Sequence, residues 1–358
     1  MTLLFRRERG RLPAGTAYIA GRTIREGGVV VFPTETVYGM GADALNSAAV
    51  KRIFEIKGRP LDNPVIVHVC SRGQVEQLAR DVPAMGRILM ERFWPGPLTL
   101  VLRKGPAVPA PVTAGLDTVS VRMPDNRTAL SLIRQARTPI AAPSANISGR
   151  PSITSFEEAV GELDGLVDVI IDGGSSRIGV ESTVLDLTSG VPSILRPGGV
   201  TAEQLREIMP GLTIHPAAEG FTVYRGKAPS PGMKYRHYAP VHSRVLLFES
   251  QPGLEEAMIA KWRQISRSGR TAAFLVTDET EIHTGTVVRL GSRERPEEIA
   301  RRLFSSLRQL DRSGVDYILA EGIGEEGIGL AVMNRLRRSA GKARGRSPAH
   351  RKESGSSP

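Results

Sequence analysis

Two cations flank a glycine in the segment Lys57-Gly58-Arg59-Pro60-Leu61-Asp62-Asn63-Pro64. Because proline restricts its own backbone, this loop presents Lys57 and Arg59 from a stiff support. A lysine point charge and an arginine fork together suit a phosphate group. An exposed helix end whose cations complement the helix dipole would also account for both charges. It would not account for Asn63 between two prolines, so the segment favours phosphate binding.

Three other segments combine hydroxyl groups with glycine or proline. FPTETVYG at residues 32–39 places two threonines and a glutamate at the end of an apolar strand, where open α/β sheets bind ligands. AAPSANISG at 141–149 lets a ligand approach the backbone and offers hydroxyl and amide groups. GVESTVLD at 179–186 is followed by an Arg-Pro-Gly-Gly turn at 196–199. Each segment alone also fits an ordinary strand or capped turn.

Several common reaction centres are missing from the sequence. There is no GxxxxGK[ST] loop, which excludes a P-loop NTPase, and no G-x-S-x-G elbow of an α/β-hydrolase. The six histidines and the single cysteine lack structural zinc spacing, so we expect no protein-borne metal site. One cysteine fits a reducing compartment, and no apolar stretch is long enough to span a bilayer. We therefore expect a cytoplasmic protein without membrane contact.

The 358-residue chain is strongly basic, with a formal net charge of +11 and an isoelectric point near 10.2. This balance favours acidic partners such as nucleotides, pyrophosphate or tRNA. Most of the basic residues are arginine, a skew that a GC-rich genome would also produce. Charge alone therefore leaves nucleic-acid binding and non-specific adhesion equally open.

The pattern of apolar residues predicts two α/β domains joined by a linker. Branched apolar runs alternate with helical periodicity over residues 14–210, where we expect a twisted mixed sheet. Residues 241–340 alternate strands and helices, which predicts parallel βαβ units and a smaller Rossmann-like sheet. The basic tail at 341–358 has the composition of a disordered segment. The predicted helices cover residues 47–56, 73–80, 83–93, 127–136, 155–163, 201–208, 254–267, 296–310 and 329–339. Ser155 before two glutamates and Thr201 before Glu203 and Gln204 resemble helix N-terminal caps.

The linker at residues 211–240 has no sustained periodicity and is rich in proline, glycine and tyrosine. A plain connection between domains would explain that composition. A passive connection does not need the lysine, arginine, tyrosine and histidine residues of SPGMKYRHYAP at 230–240. The linker is therefore predicted to contribute to function.

Taken together, the four segments closely resemble those of the threonylcarbamoyl-AMP synthases, the YrdC-like domain family, over residues 14–209. The basic pair and the S-x-N triplet at 144–146 correspond to that family's motifs. The segment 230–240 resembles the linker of the longer, two-domain form. The resemblance implies a YrdC-like α/β catalytic domain followed by a smaller Rossmann-like domain.

The resemblance also implies a reaction, in which L-threonine, bicarbonate and ATP, with Mg²⁺, give threonylcarbamoyl-AMP and pyrophosphate. A separate transferase would then modify tRNA next to the anticodon. The catalytic residues implied are Lys57, Arg59, Ser144 and Asn146. The implied nucleotide site comprises Lys57, Arg59, Asn63, Thr118, Ser144, Ser152, Arg196, Tyr235 and Tyr238. The implied threonine site comprises Thr36, His68, Arg122, the Ala142 backbone and Ser182, with Arg122 facing the substrate carboxylate.

Such a reaction needs positioning and charge stabilisation more than a covalent nucleophile, which agrees with the missing catalytic triad. Its carbamate intermediate is labile, so we expect the linker to close over the pocket as a lid.

Two other functions compete with the synthase. A module that binds tRNA or other double-stranded RNA without catalysis would explain the basic charge. Against it, hydroxyl-bearing loops framed by glycine and proline suit a small-molecule pocket better than a phosphate-backbone track. Aromatic residues, at 5%, also offer little surface for base stacking. A carbamoyltransferase of hydrogenase maturation uses a similar domain, but its zinc-finger cysteines and acylphosphatase segment are missing here.

Overall fold

The computed structural model describes residues 1–220 and 237–341. The strands are β1 (Leu3–Phe5), β2 (Val30–Phe32), β3 (Gly39–Asp43), β4 (Ile66–His68), β5 (Leu98–Arg103), β6 (Thr118–Arg122), β7 (Ile140–Ala141), β8 (Val169–Ile171), β9 (Thr183–Asp186), β10 (Ser193–Arg196), β11 (Thr213–Ile214), β12 (Arg244–Phe248), β13 (Ala272–Val276), β14 (Thr286–Arg289) and β15 (Tyr317–Glu321). The helices are α1 (Thr16–Arg25), α2 (Ser47–Lys57), α3 (Arg72–Leu78), α4 (Ala84–Phe93), α5 (Ala110–Thr113), α6 (Arg127–Ala136), α7 (Phe156–Leu163), α8 (Ala202–Arg206), α9 (Leu254–Arg267), α10 (Pro296–Arg312) and α11 (Gly329–Ala340). A 3-10 turn spans Pro216–Glu219.

Eleven strands of the first domain form one mixed sheet in the order β1-β8-β2-β3-β7-β4-β6-β5-β9-β10-β11. Parallel pairs such as β4 with β6 alternate with antiparallel pairs such as β4 with β7. The ends of β4 and β6 lie side by side, because His68 is paired in register with Arg122. The mixed α/β sheet predicted from the sequence is confirmed, and its strand ends bring distant segments together.

The second domain contains a four-stranded sheet in the order β12-β15-β13-β14, and every pair is parallel. Parallel neighbours require crossover connections; α9 lies between β12 and β13, and α10 lies between β14 and β15. The predicted βαβ pattern of this domain is confirmed. In the described ranges, no helix is long and apolar enough to cross a membrane.

Local signals explain where the helices near the functional segments begin and end. Asn46 caps α2 by accepting hydrogen bonds from the next turn, and Gly58 ends it in the left-handed region at φ 58°. Lys57 therefore lies in the last turn and Arg59 in the following loop. The predicted caps also form, since Ser155 accepts from Glu158 N and Thr201 makes a reciprocal capping box.

Six elements of the first sheet and its helices escaped the sequence patterns, namely β1, β3, β10, β11, α1 and α5. β1 lies before the predicted domain start at residue 14 and pairs with β8 through only three residues. β3 contains two glycines, which weaken a strand signal. A Cβ on Gly41 would come within 2.6 Å of Ile140 Cγ2 and 2.7 Å of Phe32 Cε1, so close packing requires glycine there.

The two domains pack against each other through apolar and charged contacts. Val37 and Val180 of the first domain join a hydrophobic cluster built mainly from α10, α11 and the second sheet. Arg308 of α10 reaches across, donating to Glu162 Oε2 at 2.7 Å and to the Ser152 carbonyl at 3.3 Å. Because Arg308 is buried, its paired contacts fix the relative position of the domains.

Gly179 lies where the two backbones approach each other. Its φ is +85°, and a Cβ there would stand 2.3 Å from the Arg301 Cα and 2.5 Å from the Ala300 carbonyl oxygen. Both atoms belong to the backbone of α10, so neither can move aside cheaply. Glycine is therefore required for the domains to dock.

We expect Gly179→Ala to lower the free energy of unfolding by ~2 kcal/mol or more, because the backbone conformation and the contact with α10 both oppose a Cβ. Thermal unfolding measures this. Gly161→Ala is the matched control, since a Cβ there meets nothing within 4 Å and the helix interior should gain roughly 0.5–1 kcal/mol. Equal stability of Gly179→Ala and the wild type would contradict this account of docking.

Candidate active site

One cavity lies at the strand ends of the first domain. All four segments identified in the sequence contribute to its wall, together with the end of the linker. Its lining residues are Thr34, Thr36, Val37, Tyr38, Gly39, Arg59, Ile66, His68, Arg122, Ala142, Pro143, Ser144, Asn146, Glu181, Ser182, Arg196, His237 and Tyr238. All five residues of the predicted threonine site are therefore brought together.

Arg122 is fixed at one side of this cavity by three contacts. Its Nη2 lies 2.6 Å from Glu35 Oε2, its Nη1 donates to Thr36 Oγ1 at 2.9 Å, and its Nε donates to the Gly96 carbonyl at 3.1 Å. Both side chains of the ion pair are at most 4% exposed. A desolvated, immobilised guanidinium of this kind suits a carboxylate ligand.

Glu35 is a site residue that the sequence analysis did not select. The sequence leaves open whether its carboxylate helps to hold a small polar ligand or caps a turn. The buried ion pair with Arg122 shows that it neutralises the cation at the cavity wall when no ligand is bound. The available signal was a charged side chain between two threonines at the end of an apolar strand.

His68 is a neutral histidine in the cavity wall. Burial, reinforced by the charge of Arg122, lowers its pKa to about 3. The ring meets Phe32 edge to face with centroids 6.2 Å apart. Within the described ranges its buried Nδ1 has no hydrogen-bond partner, so it can bind a polar ligand group.

Lys57 supports the loop that carries Ser144 and Asn146. Its side chain is fully buried, and its Nζ donates to the carbonyls of Ser144, at 2.5 Å, and Asn146. Burial, followed by the charge of Arg59, lowers its pKa well below the ordinary value. Lys57 does not line the cavity here, so its role towards phosphate stays a prediction.

The loop that Lys57 supports presents its own polar groups to the cavity. Ser144 Oγ donates to Asn146 Oδ1 at 2.6 Å, and the Asn146 amide donates to the Arg150 carbonyl at 2.9 Å. Arg59 lines the cavity from the neighbouring loop, where its Nη2 donates to the Pro64 carbonyl at 2.8 Å. Two of the predicted nucleotide contacts, Arg59 and Ser144, thus face the same space.

Arg196 is a further cation in the cavity wall, beside Ser182. Its Nη2 donates to the Ser182 carbonyl at 3.0 Å and to Ser182 Oγ at 3.1 Å. Ser182 Oγ also lies 2.8 Å from Thr99 Oγ1. Burial lowers the pKa of Arg196 to about 10, which still leaves it charged at neutral pH.

Besides Lys57, three residues of the predicted nucleotide site do not line the cavity, and a fourth lies outside the described residues. Asn63 is buried in the loop that follows Arg59. Ser152 Oγ donates to Glu181 Oε1 at 2.5 Å. Thr118 begins β6, four residues before Arg122, which places it roughly 13 Å away along the strand. Tyr235 lies outside the described residues. The roles of these four stay predictions.

The end of the linker forms part of the wall. Tyr238 is buried, adopts φ +66°, and packs on Phe304 of α10 with ring centroids 5.1 Å apart. His237 beside it also lines the cavity. The predicted lid at 211–240 stays a prediction, because residues 221–236 lie outside the described ranges.

Side chains of the second domain fill the space at the end of β15. Glu321 at the end of β15 is buried and accepts hydrogen bonds from Thr277 N at 2.7 Å and Thr280 Oγ1 at 2.7 Å. Arg293 Nη2 lies 2.6 Å from its other oxygen. The position where an open parallel sheet binds its ligand is therefore filled by the domain's own side chains.

The cavity favours an anion with two separate negative groups. Three arginines, Arg59, Arg122 and Arg196, line it together with hydroxyl and amide groups. No cluster of three or more metal-ligating side chains occurs among the described residues. The arrangement suits binding and charge stabilisation of a polar anion rather than attack by a protein nucleophile.

Comparisons with known proteins agree with this geometry. A family model described as "Telomere recombination" matches residues 22–198, and one described as "Threonylcarbamoyl-AMP synthase, C-terminal domain" matches residues 200–341. The threonylcarbamoyl-AMP synthase of Pyrococcus abyssi is 50% identical over 337 residues, covering 93% of this chain and 96% of that protein. The corresponding protein of Bacillus subtilis is 46% identical, covering 90% and 92%. The crystal structure of P. abyssi Sua5 complexed with L-threonine has a TM-score of 0.88 at 48% identity, covering 95% of this chain and 97% of that one.

Acidification should destabilise the fold through His68. The unfolded chain takes up a proton as the pH falls through about 6.5, whereas the folded chain holds His68 neutral down to a pKa of about 3. Between pH 6.5 and 4.5 the free energy of unfolding should therefore fall by up to about 1.4 kcal/mol per pH unit from this group.

Denaturant titrations of wild type and His68→Gln across this pH range measure the effect, and the variant should show a shallower slope. His283→Gln is the control, because that histidine is exposed in the second domain. Identical slopes for wild type and His68→Gln would show that His68 is not held neutral.

Proposed function

Because the chain belongs to the threonylcarbamoyl-AMP synthase family, we propose that it converts L-threonine, bicarbonate and ATP into threonylcarbamoyl-AMP and pyrophosphate. The observation that carries the proposal is the cavity lined by Arg59, Arg122 and Arg196, in which the Arg122 guanidinium is buried and held by Glu35. The P. abyssi relative, whose structure contains L-threonine, supports threonine as the amino-acid substrate.

At the threonine side, Arg122 would bind the substrate carboxylate through its guanidinium. Thr36 and Ser182, which line the cavity, would supply hydroxyl groups to the amine and side-chain hydroxyl of threonine, and the Ala142 backbone would close the wall. Neutral His68 can hydrogen-bond the substrate without repelling an ammonium group. The ligand carboxylate and Glu35 would then share the charge of one guanidinium.

At the nucleotide side, Arg59 and Arg196 would face the phosphates, with Ser144 and Asn146 as neutral donors and acceptors. The remaining predicted residues would act around them: Lys57 by holding the loop carbonyls, and Asn63, Thr118, Ser152, Tyr235 and Tyr238 at the periphery of the nucleotide. Mg²⁺ would enter with ATP, because phosphate oxygens and water satisfy most of its six positions.

The chemistry follows from holding the two substrates in one cavity. The threonine amine attacks the carbon of bicarbonate and water leaves, which gives a carbamate. A carbamate oxygen then attacks the α-phosphorus of ATP, and the bond to the β-phosphate oxygen breaks to release pyrophosphate. The fixed arginines stabilise the charge that moves to the leaving group, and no covalent bond to the protein is required.

The product would serve modification of tRNA next to the anticodon by a separate transferase. Cytoplasmic location fits the single cysteine and the tRNA substrate, and direct contact with tRNA, other double-stranded RNA or the transferase extends the same proposal. The non-catalytic RNA-binding alternative has less support, because the relatives carry enzyme names and the cavity suits small anions.

Pyrophosphate release from ATP by the purified protein tests the proposal. Release should require both L-threonine and bicarbonate, and serine should be a poorer substrate. Release that ignores threonine would contradict the proposed reaction.

Arg122→Lys tests the threonine side of the cavity. It keeps the charge but loses the planar fork, so the KM for threonine should rise by about 10- to 100-fold while the KM for ATP changes less than about threefold. Arg134→Lys on the exposed face of α6 is the matched control. An unchanged threonine KM in Arg122→Lys would remove Arg122 from the proposed site.

A further inference from the structure

Glu181 is an unexpected group in the wall of a cavity proposed to hold a nucleotide. It is the one carboxylate among the described lining residues and is only 5% exposed. A buried carboxylate at this position would repel a triphosphate strongly, because the surroundings screen the charge poorly. Its charge must be compensated before an anion can bind beside it.

The compensating charge comes from the second domain. Arg335 of α11 is fully buried, and its Nε donates to Glu181 Oε2 at 2.9 Å while its Nη2 lies 2.9 Å from the same oxygen. Ser152 Oγ donates to the other carboxylate oxygen at 2.5 Å. Burial alone would raise the pKa of Glu181, but Arg335, Arg196 and Ser152 outweigh it and hold the pKa below the ordinary value. The carboxylate is thus ionised and paired.

The same guanidinium holds two more parts of the cavity. Its Nη1 donates at 2.6 Å to the carbonyl of Pro197, the residue after Arg196. Its central carbon lies 5.7 Å from the centroid of the Tyr238 ring, at cation–π distance. One side chain of the second domain therefore touches Glu181, the turn that carries Arg196, and the end of the linker.

We propose that Arg335 is a positioning residue by which the second domain completes the nucleotide side of the cavity. It cancels the charge of Glu181 and holds Arg196 and Tyr238 in place, so a first domain without it presents an unpaired carboxylate to the phosphates. The inference rests on the proposed function for the identity of the ligand. The claim that Arg335 cancels the charge of Glu181 requires only that a nucleotide binds in this cavity.

The test is calorimetric binding of a non-hydrolysable ATP analogue to Arg335→Met, with steady-state kinetics alongside. Methionine keeps much of the apolar volume and removes the charge. We expect the analogue Kd and the ATP KM to rise ~10-fold or more, with the threonine KM changed less than about threefold. The loss should shrink as the pH is lowered, because removing Arg335 removes the strongest of the influences that hold the pKa of the buried Glu181 down.

Glu181→Gln in the Arg335→Met background separates charge from folding. With the carboxylate gone, analogue binding should return to within about threefold of wild type and lose its dependence on pH. Arg302→Met, on the exposed face of α10, removes one charge from the same domain and should leave binding unchanged. Failure of the second substitution to rescue binding, or equal losses for ATP and threonine, would overturn the inference.

The inference and the proposed function fail in different ways. A wild-type chain that binds the analogue but releases no pyrophosphate with threonine and bicarbonate would refute the synthase reaction only. A wild-type chain that binds no analogue would overturn the positioning role of Arg335.

Discussion

The ion pair between Glu181 and Arg335 is the contact on which the arrangement of this protein depends. Both groups are removed from water, and leaving either without its partner costs about 3–5 kcal/mol. Native domains have only about 5–15 kcal/mol of stability in total, so the two groups must meet in the folded chain. Since they lie on different domains, their pairing permits one mutual placement, and that placement closes the cavity.

Elsewhere in the site, buried charged side chains also have polar partners. Arg122 is paired with Glu35, and Lys57 is satisfied by the carbonyls of the loop that bears Ser144. In each case the buried charge fixes a segment that reaches the cavity from a different part of the chain. The site is rigid because its supports are electrostatic and enclosed, which is what a reaction driven by positioning requires.

The sequence predicted the parts of this structure that depend on neighbours in the chain. The helix at 127–136 followed from periodicity and α9 from its apolar face, and both have the expected bounds. The caps at Ser155 and Thr201 followed from local hydrogen-bonding groups. Residues such as Arg122 and Thr36 were assigned by resemblance, and the structure brings them into contact.

What escaped prediction depends on partners that are distant in sequence. Glu181 and Arg335 are separated by 154 positions, and nothing in either segment identifies the other. The direction of the Lys57 side chain could not be predicted either. Gly58 indicates where α2 ends, but it does not indicate that the Lys57 ammonium donates to buried backbone carbonyls. β3 was missed because its glycines are selected by the packing of Phe32 and Ile140, which a propensity cannot reveal.

The close approach of Gly179 to α10 bears on how such a protein can evolve. A contact between backbones tolerates no compensating side chain, so neither domain can drift at this point independently of the other. Recombination that joins the first domain of one lineage to the second domain of another would have to preserve this spacing as well as the buried charges. In this chain the first domain and the second domain therefore constrain each other's sequence at Gly179 and at α10.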